Sequence, residues 1–238
     1  MHRGNNCMIH FPTTVLNNFF EDPHGVIDIA KGDSVVWSHS ENSNSQANGS
    51  WPGVRSQPLH EIDNDLYIYL MNKYLYTFFD DEDMATITYN AISVFHKITP
   101  KWANGWIHND FPDIHTFIIY LTPDADPKSG TGLYTPKNIH QKLLHSKTKK
   151  QYNLGEISKD EAEPARLEHN QQFDPDTMVY NRFNRLVGFD SHQWHGVESY
   201  DTGTEERLTL ITFINKLSCP PSSYQRMKAV QLFRGDCV

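Results

Sequence analysis

The sequence predicts a mainly β protein with an N-terminal helical flank, folded as a double-stranded β-helix of the jelly-roll or cupin-like kind. Short segments rich in β-branched and aromatic residues recur from Thr86 onward, and turn-forming residues separate them. Before that point, apolar residues repeat at helical spacing between Leu59 and Phe79. Hydrophobic residues make up 38% of the 238 residues, which is enough for one substantial core.

The N-terminal part combines a strand, two helices and a loop. Val15 to Phe20 resembles a short strand, and Asp22-Pro23 is a typical N-cap followed by proline at the first helical position. Ser38 to Pro58 is rich in Ser, Asn and Gly, so we expect a loop there. The amphipathic helix from Leu59 to Phe79 then completes this flank.

The β region holds several short strands bounded by turns. Thr86 to Phe95 and Thr116 to Leu121 are predicted strands, the second of them fully buried. Thr177 to Phe189 indicates two strands joined near Asn184, and Arg207 to Ile214 is the clearest strand of all.

We expect one domain, 1–238, with flank 1–85, β core 86–216 and tail 217–238. The polar stretch 139–173 interrupts the core. A connection of this length is typical of a functional lid or mobile insertion, and a solvated surface loop is the alternative.

Composition narrows the classes of function. A net charge of −8 disfavours a general nucleic-acid binder, and no apolar run is long enough to cross a membrane. Cys7, Cys219 and Cys237 show no paired spacing, which predicts free thiols in a reducing compartment, with one disulfide as the alternative. With no signal-like segment near the start, we expect a cytoplasmic protein. The sequence sets no oligomeric state.

The triplet His108-Asn-Asp110 is a candidate half of a metal site. Residues two apart on an extended strand lie on the same side, so both side chains can converge on one ion. His195, at the start of a later strand, would complete a set of two imidazoles and one carboxylate with open positions. That set is typical of non-haem Fe(II) oxygenases.

Other histidines compete with this assignment. His192 also precedes the last strands and is the alternative distal ligand, although Gly196 after His195 favours close backbone approach to a site. His115 offers a local Zn site with His108 and Asp110. We interpret the following as ordinary polar residues or as residues that support the metal ligands: His96, His140, His145 and His169.

Arg207 follows His195 by twelve residues and is well placed to hold an anionic co-substrate beside the metal. The alternative is a surface salt bridge with Glu205 or Glu206.

These motifs together resemble the Fe(II)/2-oxoglutarate-dependent dioxygenases, close to the prolyl 4-hydroxylase-like branch, over roughly Thr86 to Lys216. The order of short motifs carries the resemblance: His108-Asn-Asp110, Thr116 to Leu121, Ser129-Gly-Thr-Gly132, Val187-Gly-Phe189, His195-Gly-Val197 and Arg207-Leu-Thr209. The chain also looks like variants from marine phage genomes, including the segment Trp51 to Arg55. It departs from the prolyl hydroxylase pattern at Ser129 to Gly132, where two adjacent glycines are usual.

The resemblance implies a ligand set. His108, Asp110 and His195 would bind Fe(II), while Arg207 would pair with the distal carboxylate of 2-oxoglutarate. Two further groups would contact the same carboxylate: Tyr120 and Thr209. O₂ would be the second co-substrate, and ascorbate is an expected accessory reductant.

The expected function is hydroxylation of an unactivated C–H in a peptidyl, prolyl-like substrate, with a peptide or protein as partner. Asp110 favours hydroxylation because related halogenases lack that carboxylate. Two alternatives stay open: a non-catalytic, cupin-like metal-binding or virion-associated protein, and a nucleic-acid-modifying dioxygenase.

Overall fold

The computed structural model describes residues 11–39, 51–102, 105–138 and 144–218. The strands are β1 (Thr14–Leu16), β2 (Trp37–Ser38), β3 (Val54–Ser56), β4 (Thr88–Ile98), β5 (His115–Tyr120), β6 (Thr131–Pro136), β7 (Phe173–Val179), β8 (Arg185–Asp190), β9 (Trp194–Gly196) and β10 (Arg207–Ser218). The helices are α1 (Pro23–Lys31), α2 (Leu59–Ile62), α3 (Asn64–Leu75), α4 (Asp81–Met84), α5 (Ser146–Asn153) and α6 (Lys159–Asn170).

Two antiparallel sheets form the core. The larger has the order β1-β8-β5-β10-β4-β3-β2, and the smaller has the order β7-β6-β9. Side chains from both sheets pack together, including Ile118 and Ile211 from the larger sheet and Leu133 and Val179 from the smaller. This is a jelly-roll, cupin-like arrangement, and the fold class predicted from the sequence is confirmed.

The larger sheet has two different faces because side chains alternate along each strand. One, which we call the helix-covered face, carries Leu208 and Leu210 and packs in one cluster with residues of α1 and α3. The other, the inner face, points toward the smaller sheet and carries Arg207, Thr209 and Ile211. Tyr120 of β5 pairs directly with Thr209 of β10, so Tyr120 lies on the inner face as well.

The N-terminal flank contributes strands as well as helices, since β1, β2 and β3 extend the larger sheet on its two sides. Asp22 caps α1 by accepting a hydrogen bond from the Gly25 amide, and Pro23 follows it, as predicted. The single helix expected from Leu59 to Phe79 is instead split into α2 and α3. The break falls at Asp63, which has an extended backbone and caps α3 through the Leu66 amide.

The polar stretch 139–173 contains two packed helices where the sequence suggested a lid or a solvated loop. A capping box between Ser158 and Glu161 starts α6. Tyr152 of α5 and Ala162 of α6 are buried in one cluster with Trp102 and Trp106. Apolar anchoring of this kind makes the two helices part of the core.

Two further points concern the ends of the chain, and a third concerns its helices. Leu217 and Ser218 belong to β10 and not to a tail, while the domain division itself stays a prediction. All three cysteines lie outside the described residues. Within the described ranges, no helix has the length and apolar character needed to span a membrane.

Candidate metal and co-substrate site

Backbone hydrogen bonds bring the two halves of the predicted metal site together. His108 and His195 exchange both backbone hydrogen bonds, at N···O distances of 2.8 and 2.7 Å. The Asp110 amide donates to the Ser191 carbonyl at 2.8 Å. These contacts fix His108 against β9 and Asp110 against the turn that precedes β9, although the segments lie far apart in sequence.

The side chains of His108, Asp110 and His195 converge, each with one potential ligand atom within 4.8 Å of the others. The His108 Nε2 lies 3.7 Å from Asp110 Oδ1, and the His195 Nε2 lies 3.4 Å from Asp110 Oδ2. Two ligands at right angles, each ~2.1 Å from one ion, stand ~3 Å apart. Small side-chain shifts therefore suffice for all three to contact a single ion.

Both imidazoles are held with Nε2 toward the carboxylate. His108 Nδ1 donates to the Trp106 carbonyl at 2.7 Å, and His195 Nδ1 donates to the Gln193 carbonyl at 2.9 Å. A donor at Nδ1 leaves the Nε2 lone pair free for a metal. Burial, together with the nearby Lys149 cation, also lowers the pKa of His108 well below its usual range, so its ring is neutral.

Asp110 is positioned by hydroxyl groups that the sequence interpretation did not single out. Thr116 Oγ1 donates to Asp110 Oδ2 at 2.8 Å, and the Thr116 and Ser191 hydroxyls are 2.9 Å apart. Thr116 shares the inner face of β5 with Tyr120, because the two are four residues apart on one strand. That spacing was the available signal for Thr116, whereas nothing local marks Ser191.

The competing histidines lie elsewhere. His192 Nδ1 contacts Asp190 Oδ1 at 3.1 Å and is outside the converging set. His115 is fully buried and its Nε2 contacts the Tyr74 hydroxyl. His96 and His169 contact backbone carbonyls, His145 contacts Glu168, and His140 lies outside the described residues.

Arg207 is buried on the inner face, with 2% of its surface exposed. Its Nε donates to the Ser129 carbonyl at 3.0 Å, and its Nη2 has no hydrogen-bond partner. The expected alternative, a surface ion pair, does not occur, since Glu206 instead contacts Lys97 at 3.6 Å. Desolvation lowers the pKa of the Arg207 guanidinium, and such an unpaired buried cation favours binding of an anion.

Tyr120 and Thr209 lie beside Arg207. The Arg207 Cζ is 5.6 Å from the centre of the Tyr120 ring, and the Tyr120 hydroxyl donates to Thr131 Oγ1 at 2.7 Å. Burial raises the pKa of Tyr120, which keeps its phenol protonated. Thr209 is fully buried and pairs directly with Tyr120 across β10 and β5. The structure therefore brings these three predicted residues together.

Helix α6 holds the backbone of the segment that leads into His108. His169 Nε2 donates to the Ile107 carbonyl at 2.7 Å, and Asn170 Oδ1 accepts from the Ile107 amide at 3.0 Å. Both polar backbone groups of the residue before His108 are thus tied to α6. Trp106 is buried in the same region, and Trp194 packs on Phe173 with ring centres 4.7 Å apart.

The site thus combines three donors that could hold a divalent metal, in contact with Thr116 and Phe189 of the inner face, with a buried, partly unpaired cation on that face. A jelly-roll protein with a candidate two-histidine, one-carboxylate metal centre is the class that the fold and the side-chain geometry define.

The chain belongs to DUF6445, a family of unknown function, which its sequence matches over residues 8–213. No curated protein matches the sequence.

Solved structures share the fold at low sequence identity. HygX from Streptomyces hygroscopicus, whose crystal structure holds nickel and 2-oxoglutarate, is 12% identical with a TM-score of 0.50, covering 85% of this chain and 82% of HygX. EvdO2 from Micromonospora carbonacea var. aurantiaca is 11% identical with a TM-score of 0.52, covering 90% of each chain. A Trichoplax adhaerens prolyl hydroxylase in complex with a peptide fragment is 12% identical with a TM-score of 0.44, covering 92% and 86%. None of these supports the expected likeness to phage variants.

Proposed function

We propose that this protein is an Fe(II)- and 2-oxoglutarate-dependent oxygenase that hydroxylates a C–H bond of its substrate. The observation that carries the proposal is that two features both lie at the inner face of the larger sheet, one in contact with its residues Thr116 and Phe189 and the other part of it. One is the convergence of His108, Asp110 and His195. The other is the buried Arg207, whose Nη2 has no partner.

The residues have distinct roles in this proposal. The two histidine Nε2 atoms and the Asp110 carboxylate hold the metal, while the Thr116 hydroxyl keeps Asp110 oriented. Arg207 binds the distal carboxylate of 2-oxoglutarate, because a guanidinium offers paired donors that match a carboxylate. Two neighbouring hydroxyl groups assist at that end of the site: Tyr120 and Thr209.

When bound, the metal with its co-substrates supplies the oxidation, in which 2-oxoglutarate, O₂ and R–H become succinate, CO₂ and R–OH. The protein contributes position and exclusion of water. His195 is buried against the Phe189 ring, at a centre distance of 4.5 Å, and Arg207 is closed off under Tyr120. A nickel- and 2-oxoglutarate-bound protein of the same fold, HygX, supports this ligand chemistry.

The alternative of a metal-binding protein without catalysis is disfavoured by Arg207. A purely structural metal site needs no buried guanidinium with a free nitrogen, and such a group costs stability unless a ligand pairs with it. A nucleic-acid substrate is disfavoured by the net charge of −8. We therefore extend the proposal to a peptidyl, prolyl-like substrate, as the sequence resemblance implies.

Succinate release tests the proposal. Protein incubated with Fe(II), 2-oxoglutarate and O₂ is offered peptide and oligonucleotide panels, and succinate is measured by mass spectrometry. We expect stimulation by peptides in the wild type, near-background release in His195→Ala, and retained release in the matched control His192→Ala, whose ring lies outside the donor set. Absence of succinate in every wild-type reaction would contradict the oxygenase proposal.

A further inference from the structure

A second cation approaches the metal site from β3, a strand of the N-terminal flank. Arg55 pairs with His96 of β4, which itself pairs with Thr209 of β10, so these three residues lie in one row across the larger sheet. Directly paired residues share a face. Arg55 therefore belongs to the inner face, although it is far from the metal-binding segments in sequence.

The Arg55 guanidinium lies between two aromatic rings. Its Cζ is 4.1 Å from the centre of the Trp51 ring and 5.3 Å from that of Phe213. Phe213 pairs with Thr116, the residue that hydrogen-bonds the Asp110 carboxylate. Phe213 and Thr116 therefore link Arg55 to the Asp110 side of the site, and two aromatic rings contact its guanidinium.

The Nε of Arg55 is buried and has no hydrogen-bond partner. Burial lowers the pKa of this guanidinium to about 10, and the Asp110 carboxylate, the strongest favourable charge acting on it, opposes that shift. An unpaired Nε donor on a guanidinium that contacts aromatic rings is suited to an incoming anion.

Lys149 of α5 adds a third cation near the site. Tyr152 follows Lys149 by about one helical turn, so the two residues lie on the same face of α5. That face packs against the rest of the protein, because the Tyr152 ring contacts the Trp102 ring at a centre distance of 5.2 Å. Burial lowers the pKa of Lys149 to about 8, opposed by the Asp110 carboxylate.

Arg55 and Arg207 serve different ends of the site. Tyr200 interacts with both arginines, but the Asp110 charge acts on Arg55 and Lys149 and Tyr120 acts on Arg207. If Arg207 takes the distal carboxylate of 2-oxoglutarate, the other two cations remain near the metal. Divalent metal and dianionic co-substrate cancel in charge, which leaves the three cations facing the single carboxylate of Asp110.

Asp113 does not neutralise this excess. It is not among the charges that act on Arg55 or Lys149.

We propose that Arg55, assisted by Lys149, binds an anionic group of the prime substrate, a carboxylate or a phosphate, next to the metal. This inference rests on the proposed oxygenase function and narrows its substrate from any peptide to an acidic one. Arg55 supplies a directional donor through its unpaired Nε, and Lys149 supplies charge from α5.

A binding experiment on the full chain separates the two anion types. Ni(II)-loaded protein with saturating 2-oxoglutarate is titrated, at constant ionic strength, with three probes: acetyl-Pro-Asp-amide, its uncharged twin acetyl-Pro-Asn-amide and inorganic phosphate. Tryptophan fluorescence reports binding, since the Trp51 ring faces Arg55. We expect at least one anion to bind the wild type with ~10-fold higher affinity than the neutral twin, the equivalent of ~1.4 kcal/mol.

Substitutions show which residues cause the preference for an anion over the neutral peptide. Arg55→Gln is expected to abolish it, Lys149→Gln to weaken it, and Arg55→Lys to retain part of it. Lys150→Gln, an exposed neighbour on α5, and Arg182→Gln, an exposed arginine, are matched controls that should bind as the wild type does. If Arg55→Gln does not fold, Arg55→Lys and Lys149→Gln carry the comparison.

Two results would overturn the proposal: no preference for an anion over acetyl-Pro-Asn-amide in the wild type, or an unchanged preference in Arg55→Gln. Titration of 2-oxoglutarate into the same Ni(II)-loaded variants is the parallel measurement. If Arg55→Gln loses 2-oxoglutarate binding, Arg55 serves the co-substrate and the inference is wrong. If the wild type does not bind 2-oxoglutarate at all, the proposed function fails, and the anion titrations with Ni(II) alone still test Arg55.

Discussion

The two faces of the larger sheet are built from the same strands and differ in what their buried groups contact. On the helix-covered face of β10, Leu208 and Leu210 pack into an apolar cluster with residues of α1 and α3. On the inner face, Arg207 and Thr209 alternate with them and are just as buried. One face is filled by apolar contacts, and the other holds polar groups around a metal-binding geometry.

Unpartnered polar atoms sharpen the contrast. Arg55 Nε, His96 Nδ1 and Arg207 Nη2 lie on the inner face without hydrogen-bond partners, and His115 Nδ1 is such an atom on the helix-covered face. Buried polar groups without partners cost stability, so a protein retains them where a ligand completes them. The helix-covered face stabilises the fold, and the inner face reserves its polar atoms for binding.

The largest expected effect is on the inner face. Arg207→Gln removes the cation proposed to bind 2-oxoglutarate, and loss of one partner of a buried charge pair costs ~2–5 kcal/mol of binding. We expect 2-oxoglutarate affinity of the Ni(II)-loaded protein, measured by calorimetric titration, to fall at least ~30-fold. Thermal stability should hold or rise, because a partly unpaired buried charge is removed. If Arg207→Gln bound 2-oxoglutarate as tightly as the wild type does, the proposed binding role of the inner face would be wrong.

Adjacent residues on β10 give the next comparison. Leu210→Ala leaves a cavity on the helix-covered face and should lower the free energy of unfolding by ~2–5 kcal/mol. Thr209→Val, one residue away on the inner face, should leave urea denaturation nearly unchanged and weaken 2-oxoglutarate binding. The opposite pattern, with binding lost in Leu210→Ala alone, would show that the faces are not specialised.

The smallest expected effect concerns two buried threonines. Thr116→Val removes the hydroxyl that donates to Asp110, and loss of such a supporting contact weakens metal affinity ~10–100-fold. Thr212→Val removes a comparable hydroxyl contact, to Ser93 at 2.8 Å, on the helix-covered face. Its Ni(II) affinity, measured by fluorescence or calorimetric titration, should match the wild type. Equal losses in both variants would assign Thr116 a role in folding only.

Local patterns in the sequence were enough to predict the main strands of the inner face. A continuous apolar run marks β5 and β-branched residues mark β10, and alternation along β10 places Thr209 on the same side as Arg207. The role of Tyr120 came from the family resemblance. The break at Asp63 was missed because the apolar helical repeat continues through it, and capping by a side chain interrupts the helix without disturbing that repeat. The helices within 139–173 were missed because their apolar anchors, Tyr152 and Ala162, are sparse among polar residues.

Contacts between segments that are distant in the sequence were harder to predict than the elements themselves. Arg55 reaches the inner face only because β3 joins the edge of β4, a pairing that no local signal in a loop-like segment predicts. The support of Asp110 by Ser191, and of Ile107 by His169 and Asn170, likewise depends on how the sheets and α6 close around the site.

The most direct test of the metal and co-substrate site is anaerobic addition of Fe(II) and 2-oxoglutarate, watched for the visible charge-transfer band of the chelate. The wild type should develop the band, and Asp110→Ala should not. Asp113→Asn, which alters a neighbouring carboxylate outside the donor set, should keep it. No band in the wild type, or the same band in Asp110→Ala, would contradict the account.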